Sequence, residues 1–543
     1  MSGECGVDGL SLEEKVGQLL HVGIGNGYGE TDAGWPAEET GEVIRDLQPG
    51  AVRIYGSHRA GPYAMAEYAN RLQEWAAEVD HAIPLLLSAD CEYGTVDVVG
   101  HGTRAYPSLM GRTVTGDPGL AREVSAAIAR DARSMGLSMT HRPVADVHTN
   151  PDNPVIGVRS PGTDPATVSR YATAALEGIH DAGALGVAKH FPGHGDTELD
   201  SHHDLPHVTD DRERIEEVHL PPFEALIEAG VDCIMTSHVL VDAIDPDRPA
   251  TLSKPVLSGL LREELGFEGV VVTDAMMMDA VAENYGVGEA AVRAVVAGAD
   301  LVLTGYVSHE DLRETRDVLL EAVETGDLPE SRIDRSVERI LALKERVADG
   351  RQVDPIEALE VTGSEAHRSL AHEAYERSVT LLADDGLPIR EDDAVLLTGV
   401  RGVGALEPHF DRAFGPVVTC SLAPNGTRTG DSKPATVPTA DALPTVRDLA
   451  AGVDRAVVTT YNREGVPDSQ RRMVEAVAGE APTTVVSLGL PNEFPGLPEV
   501  GYLATYLQDR LGLPDPVPDA AGRAIVGALR EPPAVRESLP IGE

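Results

Sequence analysis

The chain of 543 residues is long enough for two or more domains, and its 42% hydrophobic and 24% charged residues are typical of a soluble globular protein. Its formal net charge of −45 argues against a surface that binds nucleic acid phosphates or anionic lipid heads, because like charges repel. No run of about 18 apolar residues is present, which excludes a transmembrane helix.

Short apolar runs alternate with amphipathic helical patterns through roughly the first 350 residues. Runs with the length and composition of strands are Gln18–Ile24, Ala51–Tyr55, Pro84–Asp90, Leu137–Val144, Gly186–His190, Cys233–His238, Gly269–Asp274 and Asp300–Thr304. Strands that alternate with helices favour a parallel sheet, and eight repeats of this length predict a (β/α)8 barrel of the TIM type. An open doubly wound sheet is the alternative.

Polar side chains stand at or just beyond the ends of several of these strands. They are Asp90, Asp146, Lys189, His190, His238 and Asp274. Barrel enzymes carry their chemistry at the carboxyl ends of the strands, whereas a purely structural sheet has no reason to collect polar groups there. The pattern therefore favours the barrel over the open sheet.

A second series of strands follows the barrel pattern. The amphipathic segment Ser331–Val347 predicts a helix that closes the first domain. The later strand candidates are Val379–Ala383, Ala394–Gly399, Val417–Ser421, Arg455–Tyr461, Thr483–Leu488 and Gly501–Tyr506. We predict a barrel domain over residues 1–348, a linker with a connecting helix over 349–378, and a second, open-sheet α/β domain over 379–543.

The segment Lys189–Pro206 is the richest in chemically useful side chains, with one Lys, four His and three Asp. Its Gly and Pro residues exclude a regular helix or strand, so it is predicted to be a loop that follows a buried strand. Within it, Asp200 and His202 form an Asp-x-His pair whose side chains share one face if the backbone is extended. The carboxylate can then orient an imidazole that exchanges protons near neutral pH.

Asp274 follows the apolar run Val270–Val272 directly. A carboxylate at the end of a buried strand costs desolvation free energy unless it is hydrogen bonded or functional. Glycoside hydrolysis needs one carboxylate near the sugar C1 and a separate proton donor, and Asp274 with the Asp200–His202 pair would meet both needs. The structural alternative is that Asp274 caps the next helix.

The chain resembles glycoside hydrolase family 3, in particular its β-N-acetylhexosaminidase branch. The matching stretches are Asn150–Ser160, Lys189–Asp196 with Asp200–His202, Val271–Ala275 and Arg332–Lys344. A looser match is Asp90-Cys-Glu-Tyr-Gly94, where the family usually has Asp-Gln-Glu-Gly-Gly-Arg, so the expected arginine is absent. The segment Thr140-His141-Arg142 also departs from the more apolar family pattern.

The resemblance implies a retaining, exo-acting enzyme that removes terminal β-linked N-acetylglucosamine. By position, Asp274 would be the nucleophile, and His202 would be the general acid/base, paired with Asp200. The residues expected to hold the sugar hydroxyls are Asp90, Arg159, Lys189 and His190. His194 and Asp196 would shape the loop, and Met235 would lie either beside the acetamido group or in the core.

Four other functions remain open at this stage. The sequence leaves room for a β-glucosidase-type glycosidase of the same family, for an N-acetylglucosaminide phosphorylase and for a sugar-binding protein without catalysis. The fourth is a metal hydrolase that would use His190, His194, His202 and His203, although Pro192 and Gly193 rule out the helix on which His-x-x-x-His usually binds zinc. We expect no cofactor, no metal and no nucleic acid partner, only a small carbohydrate substrate.

The composition also predicts the setting in which the protein works. Only five of the 44 basic residues are lysines, and the acidic residues are spread over the whole chain. Such a surface suits a cytoplasm with molar salt, where charge repulsion is screened over about 3 Å. The four cysteines lie far apart and fit neither a metal site nor a disulfide framework. We therefore expect a cytoplasmic protein of a halophile.

Overall fold

The structure is a computed structural model that describes residues 6–25, 36–56, 61–100, 102–199, 205–348, 352–422, 442–461, 468–490, 499–507 and 517–536. It divides into two compact units. The first contains Met1–Arg104, Ala121–Thr149 and Asp164–His367, and the second contains Ala105–Leu120, Asn150–Thr163 and Arg368–Glu543. The domain boundaries expected from the sequence stay a prediction.

The first unit is built on eight strands. They are β1 (Leu20–Ile24), β2 (Ala51–Ile54), β3 (Leu86–Ala89), β4 (Met139–Thr140), β5 (Leu185–Phe191), β6 (Cys233–Thr236), β7 (Val270–Val272) and β8 (Val302–Gly305). All neighbouring strands are parallel, in the order β7-β6-β5-β4-β3-β2-β1-β8. A parallel bridge between Val272 and Leu301 joins the two ends of this order. The predicted eight-stranded barrel is confirmed.

Helices connect and surround the strands of this unit. The α-helices are Leu12–Gln18, Glu38–Leu47, Pro62–Ala76, Val96–Val99, Pro165–Asp181, Arg212–Arg214, Pro221–Glu228, Asp279–Tyr285, Val287–Ala297, His309–Thr325, Glu330–Arg346 and Pro355–Thr362. Two further helices, Pro118–Ser134 and Glu365–Ser378, contain unit boundaries. Two 3₁₀-helices, Val7–Gly9 and Ala250–Leu252, and two π-helices, Ile215–His219 and Pro255–Glu264, complete the helical elements. A small sheet joins His207–Val208, Leu240–Val241 and Asp245–Pro249.

The amino-terminal end of the barrel is held by a buried charge cluster around Asp300, which precedes β8. Its carboxylate accepts from Arg262 at 2.6 Å, from Arg332 at 3.3 Å and from Arg339 at 3.2 Å. Two of these arginines lie on helix Glu330–Arg346, so the cluster ties the closing helix to the barrel. At this end of a barrel such contacts serve stability, which leaves the opposite end for chemistry.

The second unit contains a six-stranded sheet. Its strands are β9 (Thr380–Ala383), β10 (Val395–Gly399), β11 (Val417–Ser421), β12 (Arg455–Thr460), β13 (Thr483–Ser487) and β14 (Gly501–Ala504). The order is β9-β14-β13-β12-β10-β11, and only the β9–β14 pair is antiparallel. The helices and turn of this unit are Leu109–Thr113, Gly157–Arg159, Val403–Ala413, Ala442–Ala450, Asp468–Ala478 and Asp519–Arg530.

Both faces of this sheet are covered. Successive strand residues alternate between two apolar clusters, as Leu396 and Leu397 of β10 do. The α/β open sheet predicted for the second domain is therefore confirmed. In the part of the chain that the structure describes, no helix is long and apolar enough to cross a membrane.

Candidate active site

Asp274 stands one residue beyond Thr273 at the carboxyl end of strand β7. The backbone there is fixed, because Thr273 donates its N–H to the Leu301 carbonyl at 3.0 Å and accepts the N–H of Leu303 on its Oγ1 at 2.9 Å. The Asp274 side chain is half-buried, and its Oδ1 accepts the N–H of Ala275 at 2.7 Å. A rigid strand end therefore holds a carboxylate at the end of the barrel where catalysis occurs.

Asp90, which follows β3, is held between two cations. Its Oδ1 accepts from Lys189 Nζ at 3.0 Å, and its Oδ2 accepts from Arg53 Nη2 at 2.5 Å. The carboxylate is still about one-third exposed, at 32%. Two charge-assisted hydrogen bonds therefore fix the direction of this carboxylate.

Lys189, on β5, joins this pair to a third residue. Its ammonium lies 2.7 Å from Glu92 Oε1 as well as 3.0 Å from Asp90, and its side chain is only 2% exposed. A buried ammonium costs desolvation energy, which two carboxylates offset. Glu92 received no role from the sequence pattern, although it lies two residues from Asp90.

His190 is oriented by Asp146, which stands beyond β4. Asp146 Oδ2 lies 2.7 Å from His190 Nδ1, and its Oδ1 accepts the backbone N–H of His190 at 3.2 Å and of His194 at 2.7 Å. Burial alone would raise the pKa of Asp146, but the neighbouring His190 and the hydrogen bonds outweigh it and lower that pKa. An ionised Asp146 therefore fixes the ring of His190 and the start of the loop.

Two side chains of the loop after His190 are held by hydrogen bonds, one within the loop and one to Thr149. His194 Nδ1 lies 2.7 Å from Thr197 Oγ1, and Asp196 Oδ1 accepts the hydroxyl of Thr149 at 2.7 Å. The predicted acid/base pair, Asp200 and His202, lies outside the described residues, as does His203.

Similarity to known proteins decides the family. Residues 11–343, more than half of the chain, match the family described as Glycosyl hydrolase family 3 N terminal domain. The chain belongs to glycosyl hydrolase family 3. The architecture agrees, because a solved β-N-acetylglucosaminidase of this family from Paenibacillus sp. str. FPU-7 is 34% identical, with a TM-score of 0.83 over 98% of this chain and 99% of that chain.

Two relatives show the same likeness in sequence. Beta-hexosaminidase A of Pseudoalteromonas piscicida is 31% identical over 381 residues, which are 66% of this chain and 63% of that protein. Beta-hexosaminidase LpqI of Mycobacterium tuberculosis is 37% identical over 346 residues, 62% of this chain and 83% of that protein. The chain thus spans slightly under two thirds of the Pseudoalteromonas relative.

Arg159 of this family 3 chain belongs to the second unit. It ends the turn Gly157–Arg159, and its Nη1 donates to the Val155 carbonyl at 3.2 Å. The same segment is anchored by Asn153, whose Oδ1 accepts the N–H groups of Val155 and Ile156 at 2.9 and 2.7 Å. The structure brings Asp90, Lys189 and Glu92 into one network; a role of Arg159 at the sugar stays a prediction.

The structure places Met235 inside the barrel. Met235 is buried in an apolar cluster with Val187 and Val272, so it packs in the core.

Among the described residues, no group of three or more His, Cys, Asp or Glu side chains is arranged to hold a metal ion. His190 and His194, two of the four histidines in the metal hypothesis, instead contact Asp146 and Thr197.

Proposed function

We propose that this protein is a retaining, exo-acting β-N-acetylhexosaminidase that releases terminal β-linked N-acetylglucosamine. The observation that carries the proposal is the half-buried Asp274 carboxylate on the rigid end of β7, in the same unit as the Asp90–Lys189–Glu92 network. The names of the two curated relatives and of the Paenibacillus structure support the substrate class.

The proposed reaction has two steps. Asp274 attacks the sugar C1 and forms a glycosyl ester while the C1–oxygen bond breaks, and His202, paired with Asp200, gives its proton to the leaving oxygen. Water then attacks C1, His202 takes a proton from this water, and the Asp274 carboxylate leaves. Two displacements at one carbon retain its configuration.

Sugar recognition is assigned to the charged groups around the strand ends. Asp90, fixed by two cations, is suited to accept hydrogen bonds from hydroxyls, and Lys189 is suited to donate them. The ring of His190, held by Asp146 through Nδ1, is proposed as a further polar contact of the sugar. Arg159 is proposed as a further donor to the sugar. Each of these side chains is oriented by a neighbour, which reduces the entropy lost when the sugar binds.

A panel of aryl β-glycosides assayed in molar salt, with and without phosphate, tests the proposal. We expect hydrolysis of the N-acetylglucosaminide in preference to the glucoside and xyloside, with no requirement for phosphate. A preference for the glucoside would favour a β-glucosidase-type enzyme. A phosphate requirement with a sugar phosphate product would favour a phosphorylase, and binding without turnover would indicate a sugar-binding protein.

Activity should survive removal of divalent metals. Dialysis against EDTA, with molar monovalent salt kept throughout, is expected to leave the hydrolysis rate unchanged, because the proposed reaction uses only a carboxylate and an imidazole. The measurement is the rate before dialysis, after it, and after adding zinc. A loss that zinc restores would favour the metal hydrolase.

We also propose that the protein works in a salt-rich cytoplasm. The net charge of −45 supports this, and so do the three described cysteines, Cys91, Cys233 and Cys420, none of which forms a disulfide. Self-repulsion among carboxylates destabilises a compact state when it is unscreened. Molar salt removes this repulsion.

Activity and folded structure should therefore both require salt on the order of 1 M, where the Debye length is about 3 Å, compared with about 30 Å at 0.01 M. Circular dichroism and hydrolysis should be followed together across a KCl series, and both should fall on dilution. A protein that stays folded and active in dilute buffer would contradict the halophilic proposal and leave the glycosidase proposal untouched, since the two depend on different residues.

A further inference from the structure

Arg53 is a charged residue in the middle of a barrel strand. It is the third residue of β2, Ala-Val-Arg-Ile, where bulky apolar side chains normally fill the interior. It is 9% exposed, and a guanidinium removed from water costs several kcal/mol unless it is paired. Nothing in the sequence pattern singles it out, because it lies inside a strand. A buried charge at this position calls for a specific partner.

The partner is the Asp90 carboxylate. Arg53 Nη2 donates to Asp90 Oδ2 at 2.5 Å, while Lys189 holds the other oxygen at 3.0 Å. The guanidinium is fixed from a second side by Tyr55, because Arg53 Cζ lies 4.3 Å from the centroid of that ring. Tyr306 packs edge-on against Tyr55 with centroids 4.9 Å apart. Arg53 is thus held in one position against Asp90.

The surroundings of Arg53 keep its guanidinium charged. Burial alone would lower the pKa of Arg53, but the negative charge around it, chiefly that of Asp90, outweighs burial and raises it. A permanently charged Arg53 therefore stays paired with Asp90, the residue proposed to bind the sugar.

Two buried histidines, His21 and His141, also interact with Arg53. Burial, assisted by the Arg53 charge, lowers the pKa of His21 to about 3 and takes the pKa of His141 well below its usual value. His21 Nε2 lies 2.8 Å from Ser88 Oγ, and its ring meets His141 edge-on at 5.6 Å. The His141 Nδ1 to Asp90 Oδ1 distance of 3.7 Å is therefore not an ion pair. Neutral histidines leave the attraction between Arg53 and Asp90 intact.

We propose that Arg53 is a positioning residue that orients the Asp90 carboxylate for hydroxyl recognition. The inference rests on the proposed glycosidase function and adds to it a residue from the interior of strand β2. In the sequence, the arginine that the family usually has after Asp90 is absent. In the structure, Arg53 places a guanidinium on the Asp90 carboxylate.

The test compares R53L and R53K with the unchanged protein, using an aryl N-acetylglucosaminide in molar salt. R53L should lower kcat/KM about 10- to 100-fold, the range that one lost charge-assisted hydrogen bond gives. In R53L, the acidic limb of the profile of kcat/KM against pH should also move to higher pH. A carboxylate that loses a nearby cation protonates more readily. R53K keeps the positive charge but loses the planar guanidinium donor. Its acidic limb should therefore lie at the same pH as in the unchanged protein, while its KM stays raised.

R293L is the matched control. Arg293 is an exposed helix residue paired with Glu289 four positions earlier, so its loss changes the net charge equally without touching the site. Circular dichroism in molar salt checks that each variant is folded. If R53L is not folded, the test depends on R53K.

Wild-type rate constants and an unmoved acidic limb in R53L would overturn the inference. An equal shift of the pH profile in R53K and R53L would also overturn it, because the positive charge at position 53 would then have no effect on the profile. If the unchanged protein itself does not hydrolyse the glycoside, the proposed function fails and the inference fails with it. An active wild type with an unaffected R53L removes only the role of Arg53.

Discussion

Replacement of Asp274 by Asn should reduce turnover on the order of 10⁴- to 10⁶-fold, the range found when a catalytic nucleophile is removed. The amide has the same shape, so the strand end and the hydrogen bond from the Ala275 N–H can be kept. It cannot attack C1, nor can it stabilise the oxocarbenium-like transition state with a negative charge. The measurement is kcat for an aryl N-acetylglucosaminide in molar salt.

The matched control for D274N is D279N. Asp279 is exposed at the first position of helix Asp279–Tyr285, five residues further along the chain. It should keep nearly full activity. Intact mass must show that the introduced amide has not deamidated back to a carboxylate. Normal turnover by an undeamidated, folded D274N would remove Asp274 from the role of nucleophile.

Replacement of His202 by Ala should slow hydrolysis of substrates with poor leaving groups by about 10²–10⁴-fold, the usual contribution of a general acid. The loss should be smaller for aryl groups that leave without a proton. Plotting log kcat/KM against the pKa of the leaving phenol measures this, and the slope should be steeper in H202A than in the unchanged protein.

Two neighbouring variants separate the proton donor from the rest of the loop. D200A should show a milder form of the same pattern, because it removes the group that orients the imidazole, while H203A should differ little from the unchanged protein. An equal loss in H202A for good and poor leaving groups would mean that His202 is not the proton donor.

The sequence pattern was sufficient to predict the strands and the architecture. Each of the eight barrel strands overlaps its predicted run, because buried parallel strands form short, continuous apolar segments. The boundaries were less well predicted. The run Leu137–Val144 shortens to Met139–Thr140, since Pro143 has no N–H to donate to the ladder and Arg142 donates its own to Thr140.

The sequence pattern singled out candidate site residues that stand at strand ends and did not single out a residue within a strand. Asp90, Lys189 and Asp274 could be found because a polar residue after an apolar run is conspicuous. Arg53 lies within a strand, and only the folded barrel shows that it contacts Asp90. The inclusion of the Asn150–Thr163 segment in the second unit depends on packing between residues far apart in sequence, which a sequence pattern does not show.

The most direct test of the account is to trap the glycosyl-enzyme. A fluorinated N-acetylglucosaminyl fluoride, whose fluorine slows the second step more than the first, should leave one sugar on the protein in molar salt. Peptide mass spectrometry should place this sugar on Asp274, and D274N should remain unlabelled. Turnover of the ordinary substrate with a label on another residue, or with inversion at C1 and no label at all, would contradict the account.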